Sequence, residues 1–221
     1  MRSFDQIYAI AADRQGGSQK LEAGLSHPLS PDELAGTQDD RWLSAMAKCL
    51  FQAGFNWKMI DAKWPDMEEA FDGFDPALVQ CYHDDDVDRL LADKRIVRNG
   101  DKVMAVIENA RFIKEIATEA GSAGAYFANW PDARYVELLS TLSKRGARLG
   151  SVTGQRLLRV MGKDSFILTT DVVARLVAED VVDKAPTSMR DLAATQGAFD
   201  RWSEQSGRGL TQVSQILAFS I

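Results

Sequence analysis

Apolar residues along this chain recur at three- and four-residue steps, the spacing that lines one face of an α-helix. In 41–60 the pattern falls on Trp42, Leu43, Met46, Leu50, Ala53 and Ile60. It returns at Val87, Leu90 and Leu91 in 85–93, at Val103, Val106, Ile107, Ala110, Ile113 and Ile116 in 102–119, and again in 133–144. Nowhere is there a sustained alternation of apolar and polar residues, so the pattern predicts an all-α fold. Helix boundaries fit the breaks. Asp75-Pro76 pairs a capping aspartate with a first-turn proline, Trp130-Pro131-Asp132 opens another helix, and Pro186-Thr187-Ser188 precedes a third. A first helix is expected over about 3–12 and a closing helix in 205–221, where Val213, Ile216, Leu217, Phe219 and Ile221 are apolar. Between them 14–40, with dispersed Gly16, Gly17, Gly24, Pro28, Pro31 and Gly36, reads as a loose connection.

Composition narrows the class only a little. With 221 residues, 45% apolar and 26% charged, the chain is long enough for one large domain or two packed lobes with a proper core. No apolar run approaches the roughly 20 residues that span a bilayer, and the N-terminal stretch lacks a targeting pattern, so membrane roles are excluded. Cys49 and Cys81, too few for a disulfide framework, predict free thiols and a cytoplasmic location.

Charge singles out one segment. The chain is acidic, with 26 Lys+Arg against 32 Asp+Glu, yet from Thr141 to Lys163 it carries Lys144, Arg145, Arg148, Arg156, Arg159 and Lys163 and no carboxylate. A local field of this kind steers a polyanion whatever the net charge. The same window holds Gly150-Ser151-Val152-Thr153-Gly154 between two helical stretches. Glycines at both ends allow a tight turn with positive φ, and a helix starting near Gly154 would offer its amides and dipole to a phosphate oxygen. The bland alternatives are a solvated helix face and an ordinary glycine-capped turn.

Several blocks in order carry a family resemblance. They are Gln52-Ala53-Gly54-Phe55-Asn56-Trp57, Phe74-Asp75-Pro76, the stretch DDDVDRLL from Asp84 to Leu91, and IVRNGDKVMAVIENAR from Ile96 to Arg111, continuing through Leu142-Ser143-Lys144-Arg145-Gly146. Over roughly 40–175 the chain resembles DNA-3-methyladenine glycosylase I, within the helix–hairpin–helix DNA glycosylases. The resemblance implies a two-lobed helical fold with a cleft between lobes: an N-terminal helix and connection in 1–35, a lobe with the base pocket in 36–130, and a lobe in 131–221 with the hairpin at about 145–156 and the Asp171 helix. It also implies that the hairpin grips DNA through the amides of Gly150, Val152 and Gly154, flanked by Lys144, Arg145, Arg148 and Arg156. Trp57 then matches the family's pocket tryptophan, on which a flipped base stacks. Cys49, Gln52, Phe55 and Asn56, with Phe51, are further pocket candidates, and Gln52 or Asn56 can bond a base edge; Trp42 and Trp64 are expected to pack.

Two departures accompany the resemblance. Cys49 stands where the family has a pocket glutamate, and the cysteine and histidine motifs that hold a structural zinc in that family have no counterpart; Cys81 and His83 supply at most two of the four ligands zinc needs, so no metal or other cofactor is expected. Asp171, after Leu168-Thr169-Thr170, matches the catalytic aspartate of the wider superfamily, where a carboxylate stabilises oxocarbenium character and activates water; its plain alternative is a helix cap. Gln155 and Arg156 occupy the position of the lysine nucleophile that strand-cutting members use, and a guanidinium cannot replace it. The expected function is monofunctional hydrolysis of an alkylated, 3-methyladenine-like base from double-stranded DNA, with no membrane and no obligate protein partner. The alternative is a catalytically inactive helix–hairpin–helix DNA-binding protein.

Overall fold

A computed structural model describes all 221 residues. It is built of α-helices and short 3-10 turns, without a β-strand. The helices are α1 Phe4–Arg14, α2 Ser18–Ala23, α3 Pro31–Ala35, α4 Asp39–Gln52, α5 Trp57–Ala70, α6 Pro76–Val79, α7 Asp84–Ala92 and α8 Gly100–Ala120, then α9 Ala123–Ala128, α10 Tyr135–Arg145, α11 Ser151–Val160, α12 Thr170–Ala178, α13 Met189–Ser206 and α14 Leu210–Phe219. They group into two compact units. One holds Met1–Leu29, Pro131–Leu138 and Gly162–Ile221; the other holds Ser30–Trp130 and Leu139–Met161.

The unit that includes both chain ends packs around aromatic rings. Phe166 stacks on Phe199 at 4.3 Å between centroids, Tyr135 meets Phe166 edge-on at 4.6 Å, and the Tyr135 hydroxyl donates to the Phe166 carbonyl at 2.9 Å. Its α12 is tied down by a buried charge network. The Arg175 guanidinium donates to the Ser220 hydroxyl at 2.8 Å and to the Ser220 carbonyl, and pairs with Glu179 at 3.2 Å; Arg2 closes on Glu179 at 2.6 Å. Asp164 caps α14 by accepting from the Leu210 and Thr211 amides at 2.9 and 2.8 Å.

The other unit is organised by α8. Val103, Val106, Ile107, Ala110, Ile113 and Ile116 are all buried there, as the helical spacing predicts, and each larger aliphatic contributes about 1.5–3 kcal/mol of transfer free energy. α4 packs on α8, and Trp42, fully buried, stacks on Phe127 of α9 at 4.2 Å. At Gly124 the backbone of α9 sits so close to α3 that a Cβ would lie 2.7 Å from the Ala35 and Thr37 carbonyl oxygens.

The structure revises several expectations. The apolar run 41–60 is two helices rather than one: α4 ends at Gln52, Gly54 takes φ +80°, and Asn56 caps α5. The supposedly loose 14–40 contains α2, α3 and the first residues of α4. The hairpin belongs to the unit of α3–α9, not to that of the C-terminal helices, and residues 1–29 join the latter. Its second helix starts at Ser151, not near Gly154, and Gly150 has φ −74°. Positive φ falls instead on Arg148 (57°) and Ser151 (53°), each costing on the order of 1 kcal/mol. The glycines serve close approach: a Cβ on Gly154 would lie 2.4 Å from the Leu149 carbonyl oxygen, so only a hydrogen fits where the turn folds back on α11.

What holds this turn is Asn109 of α8. Its side chain is fully buried, accepting from the Ala147 amide at 2.8 Å and donating to the Ala147 carbonyl at 3.1 Å. Asn109→Ala leaves both backbone groups unpaired and should destabilise the protein by about 1–3 kcal/mol; chemical denaturation measures this, and a loss under about 0.5 kcal/mol would show that the clamp contributes little.

Candidate active site

The pocket wall grows from the break between α4 and α5. α4 ends before Ala53 and leaves carbonyls without helical partners, as helix ends do. A buried lysine, Lys102 of α8, answers them: its ammonium donates to the Ala53 carbonyl at 2.7 Å and the Phe51 carbonyl at 3.4 Å. It also lies over the Phe55 ring at 4.3 Å, and burial, then Arg148, holds its pKa below the usual lysine value. α5 restarts when the Asn56 side chain accepts from the Lys58 and Met59 amides at 3.0 and 3.4 Å, which places Trp57 at its first position.

Trp57 is 46% exposed, unlike the buried Trp42 and Trp64. A cavity of about 320 Å³ lies against it, lined by Cys49, Gln52, Ala53, Val152, Thr153 and Arg156. A second, of about 470 Å³, shares Cys49, Gln52 and Trp57 and extends over Lys48, Asp61 and Trp64. The Arg156 guanidinium stands 4.6 Å from the Trp57 ring centroid, a cation–π contact that joins the hairpin helix to the tryptophan. Cys49 is buried at the head of both cavities, and desolvation pushes its thiol up to about 11, so near neutral pH it is an uncharged, weakly polar wall.

The predicted site residues therefore divide. Cys49, Gln52, Trp57, Val152 and Arg156 come together at one cavity. Asn56 is spent as a helix cap and Phe55 packs against Lys102, so neither lines it. Phe51 is fully buried core. Among the hairpin cations, Arg145 is pulled onto Glu119 at 2.6 Å and Glu115 at 3.3 Å, and Arg148 onto Asp101 at 3.0 Å. The basic window is thus partly neutralised by acids of α8, far away in sequence, whereas Lys144 is exposed without a carboxylate partner. Gly150 leads into α11, whose first turn has no side-chain cap, so the amides of Ser151, Val152 and Thr153 lack helical acceptors; Gly154, one residue deeper, is buried.

Asp171 lies in the other unit, at the second position of α12. The cap there is Thr169, whose hydroxyl accepts from the Val172 amide at 3.3 Å. Asp171 is exposed and takes no part in capping. Cys81 bonds only the Ala77 carbonyl, His83 pairs with Asp86, and no three His, Cys, Asp or Glu side chains gather to hold a metal, so the residues present do not fit a structural zinc. No helix is long and apolar enough to cross a membrane.

Sequence reasoning missed Lys102, Asn109 and Asp61 as parts of the site. The signal for the first two was present: they stand two turns apart on one face of α8, polar residues on an otherwise apolar stripe.

Comparison with known proteins bears on family and fold. The family model described as methyladenine glycosylase matches residues 36–173. DNA-3-methyladenine glycosylase 1 of Escherichia coli K12 is 38% identical over 60 residues, 27% of this chain, and the match spans only 32% of that relative's length. The structure of 3-methyladenine DNA glycosylase I from Staphylococcus aureus superposes with a TM-score of 0.52 at 24% identity, covering 62% of this chain and 80% of that one. Methanocaldococcus jannaschii 8-oxoguanine glycosylase/lyase gives 0.54 at 13% identity over 85% and 83% of the two chains, a likeness of fold.

The buried neutral thiol has a direct consequence. At pH 8 roughly one Cys49 in a thousand would be thiolate, so iodoacetamide should label exposed Cys81 in the native protein and Cys49 only after unfolding or at strongly alkaline pH. Peptide mass spectrometry reads both sites; equal labelling at pH 8 would contradict the burial of Cys49.

Proposed function

The chain belongs to the methyladenine glycosylase family, and from that premise we propose that it is a DNA glycosylase hydrolysing the N-glycosylic bond of an alkylated, 3-methyladenine-like base without cutting the strand. One observation carries the reading: an exposed tryptophan and the helix of the hairpin border the same cavity, through Trp57, Val152, Thr153 and Arg156. A flipped base needs a stacking face and a nearby grip on the backbone it left. Extrusion costs a few kcal/mol, and stacking on an aromatic ring returns about 1–3. The cavity of about 320 Å³ falls in the usual range for small-molecule sites, about 300–1,000 Å³.

Lys144, Arg156 and the uncapped amides at the start of α11 form the phosphate-facing surface in this reading, with Arg148 available at the cost of its contact to Asp101. Arg148 and Ser151, non-glycine residues of this turn held at positive φ, fit a turn shaped for binding. Asp171 is assigned the chemistry. Its carboxylate offsets positive charge building on the sugar as the base departs with the bonding electron pair, and takes a proton from the water that attacks C1′. Thr169 already caps α12, so capping does not account for an aspartate there. With Gln155 and Arg156 where a lysine nucleophile would stand, no imine to the sugar forms and the strand stays intact. Two free cysteines suit the reducing cytoplasm.

Release of free base from methylated duplex DNA tests the proposal. The native protein should liberate methylated adenine. Asp171→Asn should reduce the rate at least 100-fold while binding abasic DNA, and Trp57→Ala should reduce it at least tenfold. Salt-sensitive duplex binding with no base released would instead establish the inactive DNA-binding alternative. Native rates in Asp171→Asn would leave Asp171 without a catalytic role.

A further inference from the structure

The larger cavity beside Trp57 contains a polar chain that the reaction scheme does not use. Lys48 of α4 holds Asp61 of α5 at 2.9 Å, and the Gln52 side-chain nitrogen donates to the same Asp61 oxygen, Oδ1, at 3.3 Å. All three residues line the cavity, and Gln52 lines its smaller neighbour as well. Asp61 lies one helical turn beyond Trp57, on the same face of α5.

This arrangement fixes which end of the Gln52 amide is spent. A carboxylate only accepts hydrogen bonds, so the group facing Asp61 must be the amide nitrogen, whatever the ambiguity of oxygen and nitrogen in a glutamine side chain. Gln52 Oε1 is left without a hydrogen-bond partner, an acceptor at the cavity wall beside the stacking ring. The other groups lining the two cavities serve less well: Cys49 is an uncharged thiol and a weak acceptor, the Lys48 and Arg156 heads only donate, the Ser44 hydroxyl is spent on Glu68 and Trp64, the Thr153 hydroxyl donates as readily as it accepts and so distinguishes nothing, and Asp61 lines only the larger cavity.

We propose that the Lys48–Asp61–Gln52 chain is a specificity device: Asp61 is a positioning residue that presents Gln52 Oε1 as an acceptor, so that the pocket selects purines with an amine at position 6 over purines with a carbonyl there. A 6-amino group donates to Oε1. A 6-carbonyl meets it acceptor to acceptor and leaves both unpaired, and sites built to bond a polar group reject the analogue that lacks it. The inference rests on the base-pocket reading above.

Binding of free 3-methyladenine and free 3-methylhypoxanthine tests it, read as quenching of the Trp57 fluorescence that remains after subtracting the Trp57→Phe variant. The native protein should prefer the 6-amino base by about tenfold or more. Asp61→Asn, whose amide lets Gln52 turn either way, should narrow the preference to within about threefold, while Asp61→Glu, still acceptor-only, keeps it. A lost fold would abolish binding of both bases, whereas lost positioning narrows the ratio in a variant that still binds them, so binding and ratio read together separate positioning from mere structure. No preference in the native protein, or an unchanged preference in Asp61→Asn, overturns the device. A preference that depends on Asp61 alongside no base release from methylated DNA would uphold it and sink the glycosylase reading instead.

Discussion

The unit that carries the pocket depends on two buried polar side chains on one face of α8. Lys102 satisfies the carbonyls at the end of α4, and Asn109, two turns later, pairs both backbone groups of Ala147 in the hairpin. A buried lysine is expensive to desolvate, and the lowered pKa of Lys102 is the trace of that cost. What it secures is the sharp exit from α4, after which Asn56 can cap α5 and leave Trp57 at the first, half-open position. Asn109 does the same for the turn that aims α11. One helix thereby fixes the spacing between the Trp57 ring and the hairpin, so the cavity they share is set by α8 although no residue of α8 lines it.

The same helix shapes the charge of the surface. Asp101, Glu115 and Glu119 reach Arg148 and Arg145, which thins the positive field implied by the sequence of the hairpin window. These pairs are exposed, and such pairs contribute about 0–1 kcal/mol. They are therefore weak enough for the phosphates of a polyanion to displace. Arg156 is held differently, on the Trp57 ring. A guanidinium seated on the face of an indole shows that this face attracts a cation in a partly desolvated setting.

Much of this was legible in the sequence because helices announce themselves through spacing and caps. Asp75 and Ser188 cap where the residue types say they should, and the apolar stripe of α8 is buried position by position. The motif blocks marked Trp57 and Gln52, and the departure from the family pattern marked Cys49; the fold brings all three to one cavity. The break at 53–56 was hidden since Ala53 and Ile60 continue the helical period across it; only Gly54 and Asn56 hinted at a stop. The roles of Lys102 and Asn109 were hidden for another reason. Their partners are backbone carbonyls and amides, which every residue has, so no side-chain pattern names them. Likewise the neutralisation of Arg145 and Arg148 comes from carboxylates dozens of residues away, and a charge count in a local window cannot see it.

The chemistry of the pocket wall bears on what such a site can remove. A neutral purine leaves deoxyribose only if a proton reaches it during departure, which requires a donor poised near neutral pH. The side-chain groups around this cavity are an indole, a carboxamide, a guanidinium, the Thr153 hydroxyl and a thiol pushed up to about 11, none of which gives up a proton readily in that range. Asp61, the carboxylate of the larger cavity, is committed to Lys48 and Gln52. A base that already carries positive charge needs no such donor, because alkylation has made it a good leaving group. Under the glycosylase reading, this wall limits hydrolysis to bases that arrive activated, and an intact purine that enters by accident finds stacking but no acid. Discrimination between damaged and normal DNA then follows from the lesion's own charge as much as from the shape that receives it.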